Sequence, residues 1–309
     1  MPNVSICTTL ARFWNMAYMA KSLSQQTFSS IEWVIVDFNY EINKEEYALI
    51  AEHYGITLTH VPNVRTDKMY MKDIARNRNL AIELAKGDII IFLDDYTFID
   101  KDFVEQHVKI AKCGIISCGQ MTESLALDIN KLLQRAQLPV GLNITSILNN
   151  IEGTYLEDSR LTYLTSNGYP KKTQPVLGAE WTYTGNLAFS KKVFATVQEF
   201  DPILSSRGED GDFGVRADNL GFEIMYNLEA HSINFDTTGI PCTNVFDHEH
   251  DVEFFRNNTE LFLKDPELAT KYDCTIIDKY GVKVLECNKC GADFILNPAD
   301  YIYAKLQNN

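Results

Sequence analysis

Two adjacent carboxylates, Asp94 and Asp95, follow five apolar residues in a row in the stretch GDIIIFLDDYTFID, residues 87–100. Crowded acids repel one another unless a cation is present, so the pair points to a divalent metal and, behind it, a phosphate-bearing substrate. The same two residues also suit a plainer role, capping a helix that would start near Asp100. A second dense acid cluster, Glu209, Asp210 and Asp212 in the run GEDGDFG, opens a helix, and Gly208 and Gly211 give the backbone freedom there. In the tail, Cys287-Asn-Lys-Cys290-Gly291 has the spacing of half a zinc knuckle. A structural tetrahedral site needs four ligands. No second CxxC is present, so Cys274 together with Cys242 or a histidine would have to finish the site. The competing reading is plain reduced cysteines in a turn.

These groups need elements to hold them. The β-branched run before Asp94 reads as a fully buried strand of a parallel sheet, and the carboxyl ends of such strands are where open α/β sheets bind ligands. Upstream, the pattern predicts a strand over 4–8, a helix over 16–23, a strand over 33–36 that stops at Asp37, a helix over 44–54 and a short strand over 57–60. Strand, helix and strand with short connections are the unit of a parallel sheet. A helix over 72–86 buries Ile74, Ala81, Leu84 and Ala85, is stopped by Gly87, and carries Arg76 and Asn79 on a neighbouring face. Residues 119–172 form a long insertion with little regular pattern beyond a helix at 125–137, which suits a lid or an acceptor-binding region. Order returns with a strand, a turn and a short helix over 180–194, a helix within 200–220 ended by Gly221, and a strand over 222–226. The tail, 241–309, reads as a small C-terminal helical extension with a helix at 253–263 and the CxxC beyond it.

Acids outnumber bases 42 to 28, a net charge of −14 that disfavours nucleic acid and anionic lipid as partners, since no basic cluster offsets it. Seven cysteines, among them Cys7 and Cys118 in apolar surroundings, suit reduced, buried thiols and a cytoplasmic location. The first residues lack the features of a signal peptide, and no apolar run reaches the ~20 residues of a membrane-spanning helix. The Asn-x-Thr triplets at Asn143 and Asn257 then read as chance matches.

Taken in order, SICTTLAR, IEWVIVDFN, DIARNRNLAIELAKGD, IIIFLDDYTFI, WTYTGNLAFSKKVF and FDPILSSRGEDGDFGVRADNLGFEI resemble the family-2 glycosyltransferases with the GT-A fold. The resemblance covers residues 4 to about 235, interrupted by the insertion. It implies a Rossmann-like α/β fold, a mixed and mostly parallel sheet flanked by helices, in a domain of residues 1–240. It further implies an inverting transfer from a nucleotide-diphosphate sugar. Thr8, Thr9 and Arg12 would face the nucleotide, and Asp37 would accept hydrogen bonds from base or ribose or else simply cap a turn. Arg76 would lie near the diphosphate, where a guanidinium fork suits phosphate; Arg78 would point into solvent. Asp95 would bind the metal, Mn²⁺ or Mg²⁺, with Asp94 on the ribose or a metal-bound water. The third acid that many members carry is here Tyr96, which leaves the division of work within the pair open.

Asp210 would be the general base with Glu209 beside it and Asp212 as the rival. Trp181, Gly185 and Asn186 would lie by the sugar and acceptor, where an aromatic face stacks on sugar C–H bonds; a buried structural Trp is the other reading of Trp181. A histidine completes the metal site in some relatives. Here His231, His248 and His250 compete, with DHEH favouring His248. The implied partners are a nucleotide-sugar donor and a glycan, lipid-linked or other hydroxyl acceptor. Two alternatives stay open: a catalytically inactive nucleotide-sugar or glycan-binding module of the same fold, and a transferase acting on a hydroxymethylated DNA base, which the net charge weakens.

Overall fold

The computed structural model describes residues 3–10, 16–64, 73–95, 97–124, 155–156, 158–168, 174–175, 178–204, 208–235, 260, 262–271, 274–279, 281–287 and 293–295. The chain divides into one unit of residues 1–10, 14–64 and 71–237, and a second of residues 11–13, 65–70 and 238–309.

The first unit opens with β1 (Val4–Leu10), α1 (Ala17–Ser24), β2 (Ile31–Asp37), α2 (Tyr40–Tyr54) and β3 (Thr57–Pro62). It continues through α3 (Ile74–Leu84), β4 (Ile89–Leu93), β5 (Thr97–Ile99), α4 (Phe103–Ala111) and β6 (Ile116–Ser124). After the insertion's described part, β7 (Tyr155–Leu156), α5 (Ser159–Ser166) and β8 (Gln174–Pro175), come a 3₁₀ turn (Ala179–Trp181), β9 (Asn186–Ser190), α6 (Lys191–Val197), α7 (Glu209–Asn219) and β10 (Ile224–Phe235). The main sheet runs β3-β2-β1-β4-β9-β6-β10-β5. Its first four strands are parallel, β9 runs antiparallel to both neighbours, β6 and β10 are parallel, and β5 closes the edge antiparallel. Period-2 alternation divides the apolar residues between two layers. Val4, Ile6, Trp33, Ile35, Ile89 and Ile91 pack with α1 and α4 on one face; Cys7, Val34, Val36, Ile90 and Phe92 pack with α3, α6 and α7 on the other. Burial pushes the Cys118 thiol up to about 12 and that of Cys7 higher still, so both stay neutral.

Several expectations need correction. The Asp94–Asp95 pair caps no helix: β5 intervenes, and Asp102 occupies the N-cap position of α4. Helix α3 stops at Leu84, before Gly87, whose N–H donates to Ser5 Oγ (2.8 Å) at the turn into β4. Strand β10 extends to Phe235 because β6 stays alongside it through Ser124, with a register irregularity between Asn227 and His231. The insertion is regular at both ends. Asp158 caps α5 by accepting from the Arg160 N–H, and Leu161 and Leu164 are buried beneath it. The expected helix at 125–137 lies outside the described residues.

The second unit was expected to be helical. Among the described residues it holds α8 (Pro266–Lys271) and an antiparallel sheet, β11 (Cys274–Lys279), β12 (Val282–Cys287) and β13 (Asp293–Ile295), in that order. The hairpin follows from two alternating runs, CTIIDK and VKVLEC, around a short turn, with Val284 and Leu285 buried. Its register sets Cys274 directly opposite Cys287, and Cys274 is buried. Cys290, Cys242, His248 and His250 lie outside the described residues, as does nearly all of the expected helix at 253–263.

Candidate active site

Because β9 runs antiparallel to β4 with Leu93 opposite Asn186, the residue after one strand must meet the residue before the other. These are Asp94 and Gly185. A Cβ on Gly185 would stand 2.8 Å from Asp94 Oδ2 and 3.0 Å from Met121 Sδ, so only glycine lets that carboxylate rest against the turn. One residue earlier, the Thr184 N–H and Oγ1–H reach Asp210 Oδ2 (3.3 and 3.4 Å). The Gly211 N–H donates to Asp210 Oδ1 (2.9 Å), and Thr182 Oγ1 donates to the Asp210 carbonyl (2.5 Å). Helix α7 comes this close because Gly214 has no side chain to strike Ala179 and Thr182. Thus the turn 184–185 has Asp210 on one residue and Asp94 on the next. Asp94 is half-buried and Asp95 almost wholly buried. Gly185→Ala is expected to displace Asp94 and lower turnover about 10- to 100-fold through misplacement of reacting groups. Thermal unfolding should change far less, a contrast that paired activity and melting measurements would check.

The neighbours of Asp210 separate into distinct roles. Glu209, expected beside the base, turns inward: its Oε1 pairs with Arg78 and its Oε2 is buried without a partner. Burial raises its pKa, with Arg78 opposing and Asp210 adding to the shift. Arg78 is therefore no solvated arginine but a buried one, tying α3 to the first residue of α7. Asp212, the rival base, accepts from Arg216 Nε at 2.7 Å on the helix surface. Arg76 is 40% exposed at its side chain and pairs with buried Asp73 (3.1 Å), so its guanidinium borders solvent while one nitrogen is anchored. Asn79 clamps the approach to α7, donating to the Phe200 carbonyl (2.8 Å) and accepting from the Phe200 N–H (3.0 Å).

At the ends of β1 to β3, Thr8 is buried, and its Oγ1 accepts from Trp33 Nε1 (3.1 Å), so its hydroxyl is engaged in the core. Thr9, on the opposite face of the strand, is half-buried. Arg12 lies outside the described residues. Buried Asp37 accepts from the Asn39 N–H (2.7 Å) and Asn43 Nδ2 (2.9 Å), and its Oδ2 also meets His60 Nε2 at 3.0 Å. It thus closes the turn that leads into α2, whose N-cap is Asn39 and which starts four residues earlier than expected, and its oxygens retain lone pairs. Two groups missed by sequence reasoning adjoin it. His60 Nδ1 and Asn63 Nδ2 are buried without partners, one able to accept and the other to donate.

Asn186 departs from its expected place at the sugar. It is fully buried, with Nδ2 donating to the Gln120 and Ala230 carbonyls (3.0 Å each) and Ser232 Oγ (2.9 Å), and Oδ1 meeting His107 Nε2 (2.7 Å). A strand-start amide whose every group is satisfied inside the sheet is structural. His231 likewise bonds Thr122 within the sheet, where burial lowers its pKa to about 4. Burial also lowers His107 to about 4 from 6.5. The unfolded chain binds a proton that the folded imidazole refuses, so the His107 contribution to stability is lost as pH falls from 6.5 towards 4. At pH 5 the loss is about 2 kcal/mol. Urea unfolding of wild type and His107→Gln at pH 7 and pH 5 should show the gap between them narrowing by that amount.

Among the described residues no three acids, histidines or cysteines converge on one point. The donor set still fits a hard cation: two consecutive carboxylates at a strand end, with phosphate oxygens and water to fill an octahedron.

A sheet of four parallel strands joined to an antiparallel β9, with paired carboxylates at the β4 end, is the GT-A architecture. Residues 15–126 match the model for Glycosyl transferase family 2. This segment is less than half of the chain; over it the chain is similar to the family-2 glycosyltransferases, and its fold is the GT-A fold. Its structure is similar to that of S. aureus TarS 1-349, with 15% identity over 77% of this chain and 61% of that one and a TM-score of 0.52. The same protein in complex with UDP gives 14% identity, 88% and 78% coverage and a TM-score of 0.53. In complex with UDP-GlcNAc it gives 13%, 85% and 66%, and 0.51. Against the first of these, the chain spans about three fifths of the neighbour's length. No curated protein matched by sequence. No helix among the described residues is long and apolar enough to cross a membrane.

Proposed function

We propose that the chain moves a sugar from a nucleotide-diphosphate donor to an acceptor hydroxyl with inversion, with Asp210 as general base and Asp94 and Asp95 holding a divalent cation. The observation that carries this reading is the 184–185 turn, where the Asp210 carboxylate meets Thr184 and the Asp94 carboxylate lies against Gly185. S. aureus TarS 1-349 forms complexes with UDP and with UDP-GlcNAc, which supports a uridine-diphosphate sugar as the first donor to test. The unpartnered acceptor and donor of His60 and Asn63 beside Asp37 suit the edge of a base.

Inversion requires a base on the acceptor's side of the anomeric carbon and charge stabilisation on the leaving group's side. Asp210 takes the acceptor's proton as that oxygen forms its bond to the anomeric carbon. The bond from that carbon to the diphosphate breaks, and its electrons leave with the nucleotide. Thr184 and Gly211 hold the Asp210 carboxylate aligned, and Arg76, half-exposed on α3, is the cation for the departing diphosphate. Mn²⁺ or Mg²⁺, when bound, would neutralise the diphosphate's charge. Cys274, Cys287 and Cys290 remain proposed ligands of a structural zinc, to be read from elemental analysis of protein purified without chelator.

A melting screen of UDP-, GDP- and dTDP-sugars with Mn²⁺ tests the reading. One nucleotide class should raise the midpoint by several degrees, as about 2.7 kcal/mol of stabilisation at a hundredfold excess over Kd requires. That same sugar should be slowly hydrolysed, which separates an enzyme from an inactive binding module. A flat response to every nucleotide sugar would overturn the proposal.

A further inference from the structure

We infer that Arg160 is a positioning residue for Asp210, acting through residues 181–184. The inference rests on the proposed function, in which Asp210 is the base, and adds the side chain that holds the partners of the base in place. Two charged residues engage this short segment in alternation. The Arg160 guanidinium donates to the Trp181 carbonyl (3.2 Å from Nη1) and lies 4.9 Å from the centroid of the Tyr183 ring. Thr182 Oγ1 donates to the Asp210 carbonyl (2.5 Å), and the Thr184 N–H and hydroxyl reach Asp210 Oδ2 at 3.3 and 3.4 Å. Residues 181 and 183 therefore answer to Arg160, and residues 182 and 184 to Asp210. Thr182 and Thr184 are buried, and the contact with α7 leaves no room for a side chain at Gly214. A displacement of the segment at Arg160 is thus passed to the Asp210 carboxylate.

Arg160 can serve as a reference because it is itself fixed to the sheet. It is 1% exposed, and it forks onto Asp158, with Nη2 2.8 Å from Oδ2 and Nε 3.0 Å from Oδ1. Its Nη2 also donates to the carbonyl of Gly119 in β6 (2.7 Å). Asp158 accepts in turn from the Met121 N–H of β6 (3.0 Å) and from Tyr226 Oη of β10 (3.1 Å). Burial alone would raise the Asp158 pKa, but the Arg160 charge and these hydrogen bonds hold it below the usual carboxylate value. The pair is therefore ionised and tied to two strands.

Segment 181–184 has no such ties of its own, since it lies between the 3₁₀ turn and β9 and pairs with no strand. Half-buried Trp181 adds one further link to α5, its ring packing edge-on against that of Tyr163 (centroids 4.8 Å apart). The chemistry at Arg160 is specific to arginine. A planar fork of five donors reaches Asp158, Gly119 and Trp181 at once and presents a flat face to Tyr183, whereas a lysine ammonium offers its three donors at a single point. A purely structural ion pair would act on stability alone. A positioning residue acts on turnover, and only while the base is present.

The test uses the full chain and reads release of nucleoside diphosphate, with water as the acceptor, from UDP-GlcNAc or from the nucleotide sugar that raises the melting midpoint most. Arg160→Lys should lower kcat about 10- to 100-fold through misplacement of the base, with donor Kd within twofold of wild type. The same substitution in the Asp210→Asn background should change kcat by less than twofold, because the carboxylate it acts through is already gone. Tyr226→Phe takes one donor from Asp158 and keeps the ring, so it should lower the melting midpoint while kcat stays within twofold. If Arg160→Lys does not fold, Asp158→Asn with Arg160→Gln leaves no unpaired buried charge and is read in the same two backgrounds. A kcat within twofold of wild type in the Arg160 variant, or an equal loss in both backgrounds, overturns the inference. No release by wild type, or an Asp210→Asn variant as active as wild type, would instead strike the proposed function.

Discussion

Asp210→Asn is expected to lower turnover by about 10²–10⁴-fold, the usual consequence of losing a positioned base. Donor affinity should stay within twofold, because the substitution leaves Asp94, Asp95 and Arg76 untouched. The amide is close in shape to the carboxylate: its oxygen can still accept from the Gly211 N–H at the Oδ1 position (2.9 Å), and its NH2 replaces only the longer contacts of Oδ2 with Thr184 (3.3 and 3.4 Å). Loss of activity would therefore report chemistry and not a rebuilt helix start. Asp212→Asn is the matched control, since Asp212 pairs with Arg216 on the helix surface and its removal should cost turnover less than threefold. Steady-state kinetics on both variants with the donor identified by melting, together with their donor Kd values, would decide between the two acids. An inactive Asp212→Asn beside an active Asp210→Asn would move the base by two residues.

Arg78→Met should destabilise the protein by roughly 3–5 kcal/mol near neutral pH, because it leaves Glu209 buried and charged without the cation it pairs with. The melting midpoint would fall by an amount on the order of 10 °C. The deficit has a pH dependence with a definite sign. Burial already raises Glu209 above the ordinary carboxylate value of 4.5 despite the arginine, and the variant raises it further. A carboxyl raised in the folded state contributes stability that is full below its unfolded pKa and lost as pH rises through the folded one. The gap between variant and wild type should thus be widest at pH 7–8 and shrink towards pH 4.5. Denaturation with urea across that range measures it. The double variant Arg78→Met with Glu209→Met should recover most of the loss, since apolar replacement of a buried pair is often neutral. A deficit independent of pH would mean that Arg78 acts by packing alone.

What was legible in the sequence was whatever rests on local pattern. The unbroken run before Asp94 forces a buried strand, and its abrupt end leaves two carboxylates at the carboxyl end of a central strand. The acid-rich helix start at Glu209 was equally plain. What failed depended on partners far away in the chain. Arg78 lies three residues from Ala75 and Ala81 and four from Ile82, all buried, so it belongs to the inner face of α3. A charge there looks like an interruption until Glu209 supplies its counterion. The resemblance of WTYTGNLAFSKKVF put Asn186 at the sugar, yet its side chain turns into the sheet to Ser232 and the Gln120 and Ala230 carbonyls, and to His107. The Asp158 cap followed by Leu161 and Leu164 was a usable signal for α5, hidden by the irregular sequence before it. In the tail, CTIIDKYGVKVLEC alternates as a hairpin should, and the helical expectation gave that alternation too little weight.

The most direct measurement of the central claim is release of nucleoside diphosphate from UDP-GlcNAc, or from whichever nucleotide sugar raises the melting midpoint, by wild type and Asp95→Ala, each with Mn²⁺ and with EDTA. The account predicts release by wild type with Mn²⁺, suppression by EDTA, and loss of both metal-dependent binding and release in Asp95→Ala. Equal release with Mn²⁺ and with EDTA, or an Asp95→Ala variant that binds and cleaves the donor as wild type does, would contradict it.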